Sequence, residues 1–296
     1  MPKSPGKLTT LLDDLCFGEG PRWHEGRLFI SDMHAHEVIA LGMDGRRETI
    51  THVPNQPSGL GWTPGGRLLV VSMLDRALLR LDGDVLTKVA DLMHLASHHC
   101  NDMVVDRAGN AYIGNFGFDL FNRNAVRRPA ELILVRPDGQ ASVVARDLEF
   151  PNGTVINGTT LIVAESMAAR LTAFDIAADG SLHGRRVWAE LPSGTVPDGI
   201  CLDAEGAIWV ASPGTLNCMR VLPSGRVTHM IDCERGAFAC MLGGDDRRTL
   251  FILTAKSSDP QACRANRDGR VEFVHVEVPG AEIGRASCRE RVYSSV

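Results

Sequence analysis

The sequence predicts an all-β fold, a six-bladed β-propeller. Three observations carry that prediction: a short phrase stated six times, the even spacing of its copies, and the strand-length apolar runs inside them. Each copy opens on a polar or small residue, often followed by Gly. A hydrophobic residue stands four positions on, then a Gly-bearing turn, then an apolar strand. The starts lie roughly 40–50 residues apart, the period of a four-stranded blade.

The blades follow in order. The first is Glu19-Gly-Pro-Arg-Trp with Gly26-Arg-Leu-Phe-Ile, and the second Ser58-Gly-Leu-Gly-Trp with Gly66-Arg-Leu-Leu-Val. The third is Asn101-Asp-Met-Val-Val with Gly109-Asn-Ala-Tyr-Ile, and the fourth Asn152-Gly-Thr-Val-Ile with Thr160-Leu-Ile-Val. The fifth is Asp198-Gly-Ile-Cys-Leu with Gly206-Ala-Ile-Trp-Val, and the sixth Cys240-Met-Leu-Gly-Gly with Thr249-Leu-Phe-Ile-Leu. Asp-Gly and Ser-Gly pairs at Asp44, Asp82, Asp138, Asp179 and Ser224 mark hairpin turns, because Gly accepts a positive φ without a Cβ clash. No stretch sustains a long 3.6-residue apolar period. In blade six, strand material is expected in the run after Thr249, near Gln261–Ala265, and from Arg270. The segment Lys7–Leu15 precedes blade one without a partner there. It is expected to supply the outer strand of the last blade, which removes an exposed edge. Residues 7–280 then form a single propeller domain. Residues 281–296 turn abruptly to Arg, Ser and Cys, resemble translated read-through, and are expected to be a non-native, disordered tail.

Composition narrows the function classes. The chain has 296 residues, 44% hydrophobic and 23% charged, with a net charge of −5 and no basic run. That balance argues against nucleic acid and anionic membrane as partners. No window is apolar enough to span a bilayer, and the N-terminus has no signal-peptide pattern, so a cytoplasmic protein is expected. The eight cysteines are scattered without a Cys-x-x-Cys pair and read as reduced thiols.

Repeat phase selects a site. Equivalent positions in a cyclic repeat lie on a ring, and the blade-opening residue enters the innermost strand beside the central channel. Glu19, Ser58, Asn101, Asn152, Asp198 and Cys240 should therefore face one another. Two carboxylates and two amides brought together suit a hard divalent cation, which relieves the repulsion between the acids. A solvated polar channel mouth is the plainer alternative. Other candidates are weaker. His34 and His36, alternating on a strand, would share a face without a third ligand. His98 and His99 cannot both point inward from an extended chain. Ser58 lacks a nucleophile-elbow frame. Trp23 and Trp62, at matching repeat positions, read as blade packing.

Gly18-Glu-Gly-Pro-Arg-Trp, Asn101-Asp-Met-Val-Val-Asp-Arg-Ala-Gly, Phe150-Pro-Asn-Gly, Val196-Pro-Asp-Gly-Ile and Gly243-Gly-Asp-Asp-Arg-Arg-Thr-Leu resemble the regucalcin/gluconolactonase family, in order and at blade spacing. The resemblance runs from about Leu15 to Glu277 and implies one divalent cation in the channel: Ca²⁺ first, with Zn²⁺, Mn²⁺ or Mg²⁺ as alternatives. By position it implies Glu19, Asn152 and Asp198 as ligands, with Asn101 beside the ion and touching substrate. The implied activity is hydrolysis of a small-molecule lactone or ester, and a non-catalytic metal- or metabolite-binding propeller is the competing reading. The metal would polarise the carbonyl while a carboxylate activates water. Asp198 is the first candidate base and Asp102 the second, although Asp102 could equally anchor the strand. Relatives that open sugar lactones often carry Arg two residues before the Asn of the Asn-Asp pair, where this chain has His99. Phe116 and Phe118 are expected nearby, with Asp119 where relatives carry an acidic substrate contact. A substrate with fewer hydroxyls than gluconolactone is the expectation.

Overall fold

The structure, a computed structural model, describes residues 2–122 and 124–281. The strands assemble into six antiparallel four-stranded sheets, each ordered from the axis outward along the chain except the last. The innermost strands are Gly18–His24, Pro57–Trp62, Cys100–Val105, Pro151–Asn157, Ile200–Leu202 and Gly236–Gly243. This is the six-bladed propeller that the repeat predicts.

The core is not one central mass but a ring of wedges between adjacent sheets. Leu69, Val71 and Leu78 of blade two pack with Met103, Ile113 and Ile133 of blade three. Tyr112 and Leu134 of blade three meet Leu161 and Phe174 of blade four, and Ile162 and Ala173 of blade four meet Ile208 and Met219 of blade five. The middle strands are buried on both faces, which is why they read as continuous apolar runs rather than alternating ones. Near the axis the inner strands approach so closely that side chains are excluded. A Cβ on Gly59 would lie 2.4 Å from the Met103 backbone nitrogen, and one on Gly153 2.5 Å from the Asp198 carbonyl oxygen. The small second residue of the phrase is thus a requirement of inter-blade contact.

Closure follows the expectation. Thr9–Leu15 pairs antiparallel with Gly269–His275 as the outer strand of the sixth blade. Two further ties fall on blade five. Lys3 bridges to His229 on its outer strand, and Gly280 bridges to Asp203. Trp23 and Trp62 occupy matching positions, opposite Leu28 and Leu68, and both pack: Trp23 stacks on Phe251 and Trp62 on His24.

Four expectations are corrected. Residues near 261–265 are not a strand but belong to an α-helix, Pro260–Asn266. Asp259 caps it by accepting the Ala262 N–H at 2.8 Å, and Pro260 sits at the first helical position, where no N–H is needed. His34 lies in the 3₁₀ turn Met33–Ala35, and His36 is left-handed at φ 63°, so they do not alternate on a strand. His34 meets the Ser258 carbonyl, whereas His36 meets that of Pro54. The chain bends at His98, so the rings of His98 and His99 lie together with centroids 4.2 Å apart. Cys240, the fourth correction, is taken up with the site. Among the described residues, seven cysteines are buried and none is in a disulfide, and no helix is long and apolar enough to cross a membrane. Cys288 and the tail beyond Ala281 lie outside the described residues.

Candidate functional site

Strand register fixes which residues are equivalent. Gly18 pairs with Asp32, Pro57 with Ser72, Cys100 with Asn115, Pro151 with Glu165, and Gly236 with Ala255. The residues that follow are Glu19, Ser58, Asn101, Asn152 and Ala237, and Asp198 holds the same level in blade five through its N–H to the Ala211 carbonyl, 2.9 Å. Five of the six ring positions read from the sequence therefore stand together. The sixth is Ala237, not Cys240. Cys240 lies three residues deeper, opposite Ile252, packed in the core with its sulfur 3.8 Å from that of Cys201. In blades one to four and in blade six the pairing slips just after this level. Such irregularities free the strand start from regular pairing and re-aim its side chains.

Glu19, Asn101, Asn152 and Asp198 are 8%, 5%, 6% and 9% exposed, so each is nearly withdrawn from solvent. Their polar atoms are under-used. Among the described residues, the Glu19 carboxylate accepts only the Gly20 N–H, at 3.3 Å. Asp198 Oδ1 and Asn101 Nδ2 have no partner among the described residues. Asn152 Nδ2 donates to Ser166 Oγ (3.2 Å), and that hydroxyl donates to the Pro197 carbonyl (2.7 Å). Ser58 Oγ reaches Asn101 Oδ1 at 3.4 Å. Burial, then Asp198, then Asp102 hold the Glu19 carboxyl well above the usual range. Burial also raises Asp198, opposed by a hydrogen bond from Asn152. Asp198 and Asp102 thus act on Glu19, and Asn152 and Asp102 act on Asp198.

Asp102 stands apart in its bonding. Its Oδ1 accepts from Arg22 Nη2 (2.8 Å) and from the Met103 N–H (2.8 Å). Arg22 Nη2 also meets the Met103 carbonyl, and Nη1 donates to the Pro21 carbonyl. Burial raises the Asp102 carboxyl and Arg22 opposes the rise. Arg22 escaped the sequence reading, although a signal was present. By register it falls in a column otherwise filled by Gly61, Val104, Val155, Cys201 and Cys240, so it is the one charged residue there.

Around the ring, two residues earlier in each blade, stand Phe17, Gln56, His99, Phe150, Val196 and Arg235. Arg235 donates to the Asp268 carbonyl. Phe116 donates its N–H to the His99 carbonyl and stacks on Phe150 at 4.7 Å, and Phe118 meets the Phe150 ring edge-to-face at 6.0 Å. Phe17, Met33, Met73, Phe116 and Phe150 belong to one apolar cluster, flanked by Phe118, Met167 and Phe238. Burial, then His98, lowers the His99 imidazole to about 4, so it is neutral at pH 7. Asp119 acts on the charge of His99 and accepts the Phe121 N–H in a local turn.

No group of three or more His, Cys, Asp or Glu among the described residues is arranged to hold a metal. The expected ligand set has only two such residues, Glu19 and Asp198, beside the amide of Asn152. The donor chemistry fits a hard cation: oxygens only, two of them carboxylates, with a buried carboxylate oxygen left orphaned.

A six-bladed propeller with buried acids and amides gathered where its inner strands begin defines the class of protein. The chain belongs to the SMP-30/Gluconolactonase/LRE-like region family, which matches residues 17–256. Regucalcin of Danio rerio is 28% identical over 255 residues, 80% of this chain and 82% of the relative. Diisopropyl-fluorophosphatase of Loligo vulgaris is 24% identical over 299 residues, 90% and 94% of the two chains. Among solved structures, a calcium-binding regucalcin from Agrobacterium tumefaciens superposes with a TM-score of 0.80 at 23% identity, covering 96% of this chain and 98% of that one. A gluconolactonase from Xanthomonas campestris superposes at 0.73 with 25% identity, covering 92% and 89%.

Proposed function

We propose that this protein is a divalent-metal-dependent hydrolase that opens a lactone, adding water across the ring ester to give a hydroxy acid. The carrying observation is the under-satisfied ring. Among the described residues, Asp198 Oδ1 and Asn101 Nδ2 are buried without partners, and the Glu19 carboxylate has a single hydrogen bond. Leaving such groups unpaired costs about 1–3 kcal/mol each, more when charged, so the site is built for an occupant. Glu19, Asn152 and Asp198 would hold the cation, Ca²⁺ foremost. When bound, the cation supplies Lewis acidity toward the lactone carbonyl.

The remaining work falls to the chain. Asp198, whose Oδ1 has no hydrogen bond among the described residues, would take a proton from the attacking water. Asp102 is the poorer base, because its Oδ1 is already committed to Arg22 and Met103. That bonding favours the anchoring role for Asp102. Asn101 offers its free amide N–H to the substrate oxygen. Ser166 holds the Asn152 amide by its nitrogen, which leaves the carbonyl oxygen for the ion.

The surrounding column supports a substrate with few hydroxyls. Phe17, Phe150 and Val196 offer nothing to a polyol, His99 is a neutral ring, and Arg235 is engaged with Asp268, which leaves Gln56 as the column's one amide side chain. Aliphatic and aromatic lactones should turn over faster than glucono-1,5-lactone, and the reverse order would overturn this assignment. The primary test is hydrolysis followed by pH drift with and without EDTA. Activity should vanish with EDTA and return with Ca²⁺, Mn²⁺ or Zn²⁺, and Asp198→Ala should abolish turnover and weaken metal binding. Near-normal rates in Asp198→Ala would remove the catalytic assignment. A tightly bound ion without turnover on a broad lactone panel would instead support a non-catalytic binding propeller.

A further inference from the structure

Arg22 has no role in the chemistry above, yet it is an arginine paired with one buried acid, Asp102, and acting on a second, Glu19. Its guanidinium reaches from blade one past the inner strand of blade two to Asp102 in blade three. The guanidinium donates to Asp102 Oδ1 and to the Met103 and Pro21 carbonyls. The charged groups acting on the Glu19 carboxylate are Asp198, Asp102 and Arg22. With all four ionised, three carboxylates against one guanidinium leave two net negative charges. Removing Arg22 would leave three, and removing the charge of Asp102 alone would leave one.

We propose that Arg22 is a specificity-determining residue that sets the net charge of the channel site to match a dication and to disfavour a trication of similar size. This inference rests on the metal site proposed above and adds to it a role for a residue that ligates nothing. The physical reason is simple. Cations held by hard oxygen donors are sorted by ligand number and by ligand charge, and Arg22 changes the charge without changing a ligand. Each unit of site charge acts on a cation in proportion to the cation's own charge, so a trication feels the loss of Arg22 more than a dication does. The effect is large only where solvent screening is weak, and Asp102 and Arg22 side chains are 7% and 12% exposed.

The test measures Ca²⁺ and Tb³⁺ affinities of the full chain by calorimetry and by Tb³⁺–Ca²⁺ competition, and reads the ratio of the two. In Arg22→Gln the preference for Tb³⁺ over Ca²⁺ should rise about tenfold or more, the scale of a unit charge in a partly buried site. In Asp102→Asn it should fall by a similar factor. The double variant restores the original charge, and its ratio should return to within about threefold of wild type, since like-charged sites discriminate alike. Arg22→Lys keeps the charge and should keep the ratio. A purely structural role for the Arg22–Asp102 pair predicts something else: both single variants lose affinity for both ions together, with no opposite shifts in ratio. That result would overturn the inference and leave the metal site standing. If wild type binds neither ion, the site and the inference fall together. Should Arg22→Gln not fold, Asp102→Asn against Arg22→Lys still decides, because only the former should change the ratio.

Discussion

Substituting Glu19 by Gln should move stability in opposite directions with and without calcium. In the metal-free protein the Glu19 carboxylate is buried, 8% exposed, with one hydrogen bond from Gly20 and two acids in reach. Gln keeps the shape and removes the charge, so metal-free stability should rise by about 1–3 kcal/mol, the cost of an unsatisfied buried group. For a chain of this size that is roughly 2–6 °C in Tm. The folded carboxyl titrates above its ordinary value, so the charge penalty is absent below the unfolded pKa of about 4.5 and grows as pH rises through the folded one. The gain in Glu19→Gln should therefore shrink on acidification. Calcium reverses the ranking. A site saturated a hundredfold over Kd adds about 2.7 kcal/mol to wild type, roughly 5 °C, and little to a variant missing a ligand charge. Differential scanning fluorimetry in EDTA and in excess CaCl₂, at pH 5 and pH 7.5, gives all four numbers. A Glu19→Gln protein less stable than wild type in EDTA, or equally stabilised by calcium, would refute the assignment.

Other outcomes follow from the same geometry. His99→Arg places a charged donor beside the ring, and the kcat/KM of a polyhydroxylated lactone relative to an aliphatic one should rise about tenfold, one charged hydrogen bond's worth; an unchanged ratio on a lactone panel would remove His99 from the substrate site. His34 is buried against the Ser258 carbonyl and titrates at about 4 rather than 6.5, mainly through burial. Its folded pKa is depressed, so the unfolded chain binds the extra proton between these values and stability falls by roughly 3 kcal/mol as pH drops from 6.5 to 4. Urea midpoints across that range should show a shallower fall in His34→Gln than in wild type. Gly59→Ala drives a Cβ to within 2.4 Å of the Met103 backbone nitrogen and should cost about 3 kcal/mol, since backbone on both sides must yield; urea unfolding checks it.

Much of this was legible in the chain because a cyclic repeat converts spacing into position. Glu19, Ser58, Asn101, Asn152 and Asp198 share a phase in the text and a level in the ring. Cys240 broke the pattern for a physical reason: Cys240-Met-Leu-Gly-Gly resembles the opening phrase, but the inner strand already starts at Gly236. The true ring residue, Ala237, has no polar atom to announce it. The helix at Pro260 was masked by its brevity, since seven residues cannot display an amphipathic period, and only Asp259-Pro260 marked its start. Arg22 hid inside a motif whose neighbours drew the eye, and its meaning depends on Asp102, 80 residues away. The bend that brings His98 and His99 together is a loop property with no local code.

The strand Thr9–Leu15 carries a consequence for how the protein is made. Thr9 pairs with Phe273, so this strand must wait for a partner made about 260 residues later, or tens of seconds at ordinary translation speeds. Five blades can form while Thr9–Leu15 has no sheet to join, its edges open to other nascent chains. Ring closure is thus a late, long-range event, and the yield of folded protein should respond to chaperones and growth temperature more than to changes within any single finished blade.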